Sequence, residues 1–142
     1  MGFKQDLELG NIYEQRSCKW IEKVKGATCE VSVGKFKPYD IKATKGGEVS
    51  LIEVKCDRMA SKTGNIAIEF RCSGVGSGIT TTGSDFYHYY ILPENVMYEI
   101  PTDVIRRMIE MKVYERTVRG GDGYRSEMYL FKLGLFEIYR IK

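Results

Sequence analysis

Apolar positions recur at helical spacing near the start of the chain. Leu9, Ile12, Tyr13, Trp20, Ile21 and Val24 fall on one stripe between Gln5 and Lys25, and Gly26 supplies a stop, so a first helix is predicted there. The period then shortens to two. Thr28–Val33, Tyr39–Thr44 and Val49–Cys56 are short, rich in β-branched or aromatic residues and separated by turn signals, which predicts three strands. Gly46-Gly47 between the last two suits a two-residue hairpin connection. Asn65–Cys72 and Phe86–Leu92 are two further predicted strands. Pro101 opens a second helix through Lys112, with Val104, Ile105, Met108, Ile109 and Met111 as its apolar positions. Arg119–Ser126 reads as a flexible loop, and Glu127–Lys142 as one or two closing strands. The order helix, strands, helix, strands predicts an α/β fold with a central mixed sheet flanked by helices.

Composition narrows the class. The chain has 142 residues, 43% of them apolar, which suits a single domain over 1–142 with a core of its own. No apolar run approaches the ~20 residues that cross a bilayer, so no membrane partner is expected. The opening MGFKQDLELG lacks the apolar core of a signal peptide, and a cytoplasmic address is the expectation. Cys18, Cys29, Cys56 and Cys72 include no C-x-x-C pair, which argues against structural zinc. In a cytosolic chain all four are expected reduced and partly buried. The net charge of +3 is small but uneven. Residues 1–60 carry 11 basic and 9 acidic groups, residues 61–100 carry 2 and 4, and residues 101–142 carry 9 and 6.

Chemistry concentrates in Leu51–Cys56, which reads LIEVKC. Strand alternation puts Glu53 and Lys55 on one face and Ile52, Val54 and Cys56 on the other. Asp40 lies thirteen residues before Glu53, and the Gly46-Gly47 turn would fold the two segments together. Two carboxylates side by side repel and call for a cation between them. Hard oxygen ligands favour Mg2+, with Mn2+ able to substitute. The Lys55 ammonium could then orient a water or stabilise charge developing on phosphorus. An exposed strand face with a salt bridge is the plainer reading of E-x-K, and Asp40 with its hairpin weakens it.

Pro38-Tyr39-Asp40 followed by Glu53-Val54-Lys55 resembles the PD-(D/E)XK nuclease motif, with Tyr39 as a departure between proline and acid. The order helix, strand hairpin, further strand, helix resembles the restriction-endonuclease-like fold. Many members carry an additional acid on the first helix, and Glu14 is placed for that role. The spacing of Glu14, Asp40, Glu53 and Lys55 is similar to archaeal-type Holliday junction resolvases and small phage-type nucleases. The resemblance covers roughly residues 14–92. It implies Asp40 and Glu53 as metal ligands, Lys55 as catalytic lysine, and Glu14 as a further catalytic acid or ligand, directly or through water. It also implies DNA as partner and a phage or mobile-element source. Junction cleavage would need two active sites, hence a homodimer.

Other features are less specific. Glu69 is as readily a solvated strand acid as a site residue, and Ser77–Thr82 could form a loop reaching a DNA backbone. Gly74, Gly76 and Gly78 lack the following helix and Gly-Lys-Ser/Thr ending of a phosphate loop, so nucleotide binding is rejected. His88 is the single histidine, which excludes mechanisms that need two, and packing is its expected role. Most aromatic residues should fill the core, with Tyr124 and Tyr129 the least constrained. Lys35, Lys37, Lys42, Lys45, Arg58 and Lys62 flank the acids in sequence, and Arg116, Arg119 and Arg125 sit near the predicted loop. Such groups can hold phosphates without reading sequence.

A metal-dependent DNA endonuclease, with a structure-selective preference as its sharper form, is therefore expected. The alternatives are a non-catalytic DNA-binding module on the same fold, and an interaction protein whose charges are merely surface. A sequence-specific restriction enzyme is disfavoured, because the length leaves little room for a separate recognition module.

Overall fold

A computed structural model describes residues 3–34, 38–120 and 122–142. Lys35 and Lys37 lie outside the described residues. The chain opens with helix α1 (Phe3–Trp20), continued by a π-helical turn over Ile21–Lys25 that ends on Gly26 in the left-handed region. Strands β1 (Thr28–Val31), β2 (Ile41–Lys45) and β3 (Glu48–Asp57) follow, then the one-turn helix α2 (Ala60–Thr63) and strands β4 (Asn65–Cys72) and β5 (Val75–Gly76). After a 3-10 turn at Gly78–Thr80 come β6 (Phe86–Ile91), β7 (Val96–Pro101) and helix α3 (Thr102–Glu110). Strands β8 (Arg116–Gly120) and β9 (Ser126–Lys132) lead to a closing 3-10 segment, Leu133–Tyr139.

The central sheet is mixed, in the order β1-β2-β3-β6-β7, with β3 and β6 parallel and the other pairs antiparallel. The predicted hairpin is present. Lys45 pairs with Glu48 across Gly46 and Gly47, both at positive φ, the backbone that a tight two-residue turn requires. A second, antiparallel sheet in the order β5-β4-β9-β8 covers the other side.

Alternation along β6 divides the core. Tyr87, Tyr89 and Ile91 pack with Ile66, Ile68 and Phe131 of the second sheet and with Ile105 of α3. Tyr90 instead joins Ile41, Ile52 and Val54 in packing against Tyr13, Cys18 and Ile21. The central sheet thus has an α1 face and a face turned to the second sheet.

Several expectations change. Ile12 and Val24 of the predicted helical stripe are exposed at 58% and 60%, while Glu14, Ser17 and Cys18 are buried. The inner face of α1 is partly polar because those groups find partners across the sheet. Cys18 and Cys29 are joined in a disulfide with Cα atoms 5.4 Å apart, so only Cys56 and Cys72 are free thiols. The fold brings the end of α1 beside β1, which an 11-residue spacing does not announce. Val96–Pro101 is a strand that the sequence reading passed over, because it runs straight into α3. Arg119 and Gly120 belong to β8 rather than to a flexible loop, held by pairing with Glu127 and Ser126. Beyond Lys132 the chain closes as 3-10 turns and not as strand, apart from one bridge between Arg140 and Tyr98.

Candidate active site

The β2–β3 ladder ends with Ile41 opposite Ile52, and Asp40 is the residue just before β2. Asp40 does not continue the ladder in the regular way. Its N–H donates to Ile52 O at 3.1 Å, but its own carbonyl turns away and accepts from Ser32 N–H at 2.8 Å. Its side chain takes the vacated acceptor role, with Oδ2 receiving Val54 N–H at 2.8 Å. The carboxylate is thereby fixed against β3 between the two residues that matter, Glu53 and Lys55. Those two share a strand face, with Lys55 Nζ 3.8 Å from Glu53 Oε2. Glu53 is largely covered while Lys55 is half exposed, so the pair contributes little stability and leaves the ammonium reachable.

Tyr87 is the register partner of Glu53, and Tyr89 that of Lys55. Tyr89 donates to Asp57 Oδ2 and accepts Ala67 N–H at 3.1 Å, which joins β3, β6 and the open edge of β4 at one hydroxyl. Asp57 Oδ1 also accepts Met59 and Ala60 N–H at 2.7 and 2.9 Å, capping the turn that follows the site. Burial drives the Tyr87 phenol far above its ordinary value. The Glu53 charge adds to that, Arg106 opposes it, and Glu69 and Asp40 add further. Three carboxylates and one guanidinium therefore act on a single buried hydroxyl.

The remaining expected residues scatter. Glu14 is 7% exposed on α1, where its charge acts on Cys56 of β3. Cys56 is pushed up to about 11, chiefly by burial, then with Arg58 opposing and Glu14 adding. Glu69 is held by Ser77 Oγ at 3.0 Å and Ser126 Oγ at 2.6 Å. Its neighbouring loop is fastened rather than free: Arg106 donates to Thr82 O at 2.8 Å and Thr80 Oγ1 to Phe70 O at 2.7 Å. Among the expected DNA contacts, Lys42 pairs with Leu51 and so shares the Glu53 face. Arg58 and Lys62 are exposed just beyond β3. Lys45 is on the α1 face, with Nζ donating to Lys25 O at 2.7 Å, and does not join the site. Arg119 and Arg71 both approach Glu127, at 3.9 and 3.4 Å, in the second sheet, and Arg125 is exposed at the start of β9.

His88 is fully buried on the α1 face. Nδ1 meets Ser17 Oγ at 2.9 Å, Nε2 meets Glu99 at 2.8 Å, and Ser17 Oγ meets Tyr90 OH at 2.8 Å. A serine–histidine–glutamate line is thus present, but its serine is sealed from any substrate, so the line is structural.

Asp40 and Glu53 offer the hard oxygen donors that Mg2+ and Mn2+ take. Among the described residues no group of three or more His, Cys, Asp or Glu is arranged to hold a metal ion. The donor set fits an ion held by two carboxylates, with water and phosphate oxygens completing its shell, as is usual for Mg2+.

The architecture, a central mixed sheet flanked by helices, is similar to that of two solved structures. One solved structure that matches is a bacterial homing endonuclease, with a TM-score of 0.55 and 20% identity, over 84% of this chain and 74% of that one. Another is Hjc, a Holliday junction resolvase from the archaeal hyperthermophile Archaeoglobus fulgidus, with a TM-score of 0.55 and 14% identity, over 94% of this chain and 90% of that one. At these identities the likeness is one of fold. No family model and no curated protein matches the chain. No helix among the described residues is long and apolar enough to cross a membrane.

Proposed function

We propose that this protein is a divalent-metal-dependent DNA endonuclease that hydrolyses phosphodiester bonds. The observation that carries the reading is the Asp40 carboxylate fixed on Val54 N–H, between Glu53 and Lys55 in the strand, with Lys55 3.8 Å from Glu53. Asp40 and Glu53 would hold Mg2+ or Mn2+, with Glu14 a further acid, directly or through water. When bound, such an ion supplies Lewis-acid polarisation and an acidified water. The Lys55 ammonium holds and orients the attacking water and offsets charge developing on the phosphate oxygens. Lys42, Arg58 and Lys62 are the cations closest to this arrangement in the strand order, and would bind DNA backbone without reading sequence.

A preference for branched DNA is the sharper form of the proposal, supported by the match to Hjc over most of both chains. It requires two sites, and so a homodimer. The test is cleavage of linear duplex, single-stranded and four-way-junction DNA with Mg2+, Mn2+ or EDTA. Cleavage in either metal, its loss in EDTA, and a fall of about a hundredfold or more in Glu53→Ala and Lys55→Ala are expected. Undiminished cleavage by both variants would remove the site assignment.

A second reading, a DNA-binding module without turnover, draws on the absence of a three-ligand group among the described residues. Retention on DNA with no cleavage in any metal would select it.

A further inference from the structure

The buried tyrosines of the central sheet differ in one respect. Tyr89 spends its hydroxyl on Asp57 and Ala67, Tyr90 on Ser17, and Tyr13 of α1 on Asn95. Tyr87 is as deeply set, at 2% exposed, yet its hydroxyl makes no hydrogen bond with the described residues. Buried tyrosine hydroxyls ordinarily find a partner. Nor is this oxygen one of the enclosed, unbonded polar atoms, which are Ser84 Oγ and Thr102 Oγ1. The ring is sealed in the core with Ile68, Ile100 and Ile105, and only its tip is open.

The ring starts from the strand face that carries Glu53. Tyr87 and Glu53 are register partners on parallel strands, so their side chains leave the same face. The charges that act on the hydroxyl are those of Glu53, Arg106, Glu69 and Asp40. A ring locked by packing holds its hydroxyl at a fixed point, which is what a positioning group requires.

We propose that Tyr87 is a substrate-positioning residue of this site, its hydroxyl donating a hydrogen bond to a non-bridging oxygen of the bound phosphodiester. The inference rests on the phosphodiesterase reading above. Phosphodiester oxygens are acceptors only, and a tyrosine hydroxyl carries a proton to donate at neutral pH. It adds specificity for phosphate without adding charge to a site already rich in acids.

Tyr87→Phe deletes the hydroxyl and nothing else. kcat and KM would be measured on whichever linear, single-stranded or four-way-junction DNA the wild type cleaves, with the thermal midpoint recorded alongside. A fall in kcat/KM of roughly 10- to 100-fold is expected, as for a hydrogen bond to a charged oxygen. The midpoint should stay level or rise, because no internal hydrogen bond is lost. Tyr89→Phe is the comparison: it breaks bonds to Asp57 and Ala67, and its midpoint should drop. Wild-type kcat/KM in Tyr87→Phe would overturn the proposal while leaving the nuclease reading intact. So would a loss of rate accompanied by a midpoint drop equal to that of Tyr89→Phe, since that pattern is structural. Absence of cleavage by the wild type itself would overturn both.

Discussion

Glu99 offers the clearest measurement of what the polar face of α1 contributes. Its carboxylate receives His88 Nε2 at 2.8 Å and Lys25 Nζ at 2.6 Å. Burial works against its charge, but the hydrogen bonds from His88 and Lys25, and then their charges, outweigh burial and hold the carboxyl below its ordinary value of 4.5. Glu99→Gln keeps the shape and one acceptor oxygen. That oxygen serves the fully buried His88, while Lys25, about half exposed, turns to water. One charge-assisted bond becomes neutral, a loss of about 1–2 kcal/mol, with the Lys25 pair discounted for its exposure. Glu99→Leu leaves the buried imidazole N–H without an acceptor, which costs roughly a further 1–3 kcal/mol. Urea unfolding at neutral pH should therefore rank wild type above Glu99→Gln, and Glu99→Gln above Glu99→Leu. The pH dependence has a definite sign. A carboxyl depressed in the folded state stabilises above its unfolded value and loses that contribution as pH falls through the folded one. The gap between wild type and Glu99→Gln should narrow below about pH 4.5. Equal stability of the Gln and Leu variants, or a gap indifferent to acid, would refute the reasoning.

Two further perturbations are direct. A Cβ on Gly78 would stand 2.2 Å from Glu69 O with φ at +54°, so Gly78→Ala should cost roughly 2–4 kcal/mol in thermal unfolding. Gly74, also at positive φ but with nothing within 4 Å, should lose only about 1 kcal/mol as Ala, and equal losses would contradict the account. For the cysteines, thiol titration of the unfolded, unreduced chain should count two groups, and reduction should raise the count to four while lowering stability by roughly 3 kcal/mol. In the folded protein at pH 8, Cys56 should alkylate about a hundredfold more slowly than in urea, since burial holds its thiol near 11 against an ordinary 9. Rapid labelling of native Cys56 would show that the burial is wrong.

What the sequence disclosed was local. The Gly46-Gly47 turn and the alternation of Leu51–Cys56 act over a few residues, so the β2–β3 hairpin was visible in advance. What stayed hidden depends on distant partners. The parallel register of Glu53 with Tyr87 joins residues 34 apart in sequence, and no pattern within FYHYY selects it over a one-residue slip. The burial of Ser17 and the disulfide of Cys18 were not legible in α1 alone, because their partners His88 and Cys29 lie on other elements. Asn65–Cys72 and the start of Glu127–Lys142 read as strands, but their grouping into a second sheet escaped because the pairing joins segments far apart in sequence and Arg119–Gly120 read as loop.

The position of His88 bears on the chemistry as much as on the fold. Successive residues of β6 leave opposite faces, so a strand that presents Tyr87 and Tyr89 beside Glu53 and Lys55 must turn His88 and Tyr90 toward α1. There His88 is fully buried and committed at both nitrogens, to Ser17 and Glu99. To reach the acids it would have to cross the sheet, and a one-residue slip of β6 that carried it across would turn Tyr87 and Tyr89 out of the core they fill. The single imidazole of the chain is thus withheld from the site by the same alternation that builds it. On the proposed nuclease reading, proton transfer at the Glu53 face would fall to carboxylates, Lys55 and bound water. That division is why the metal-assisted reading, and not histidine-based hydrolysis, is the one this geometry supports.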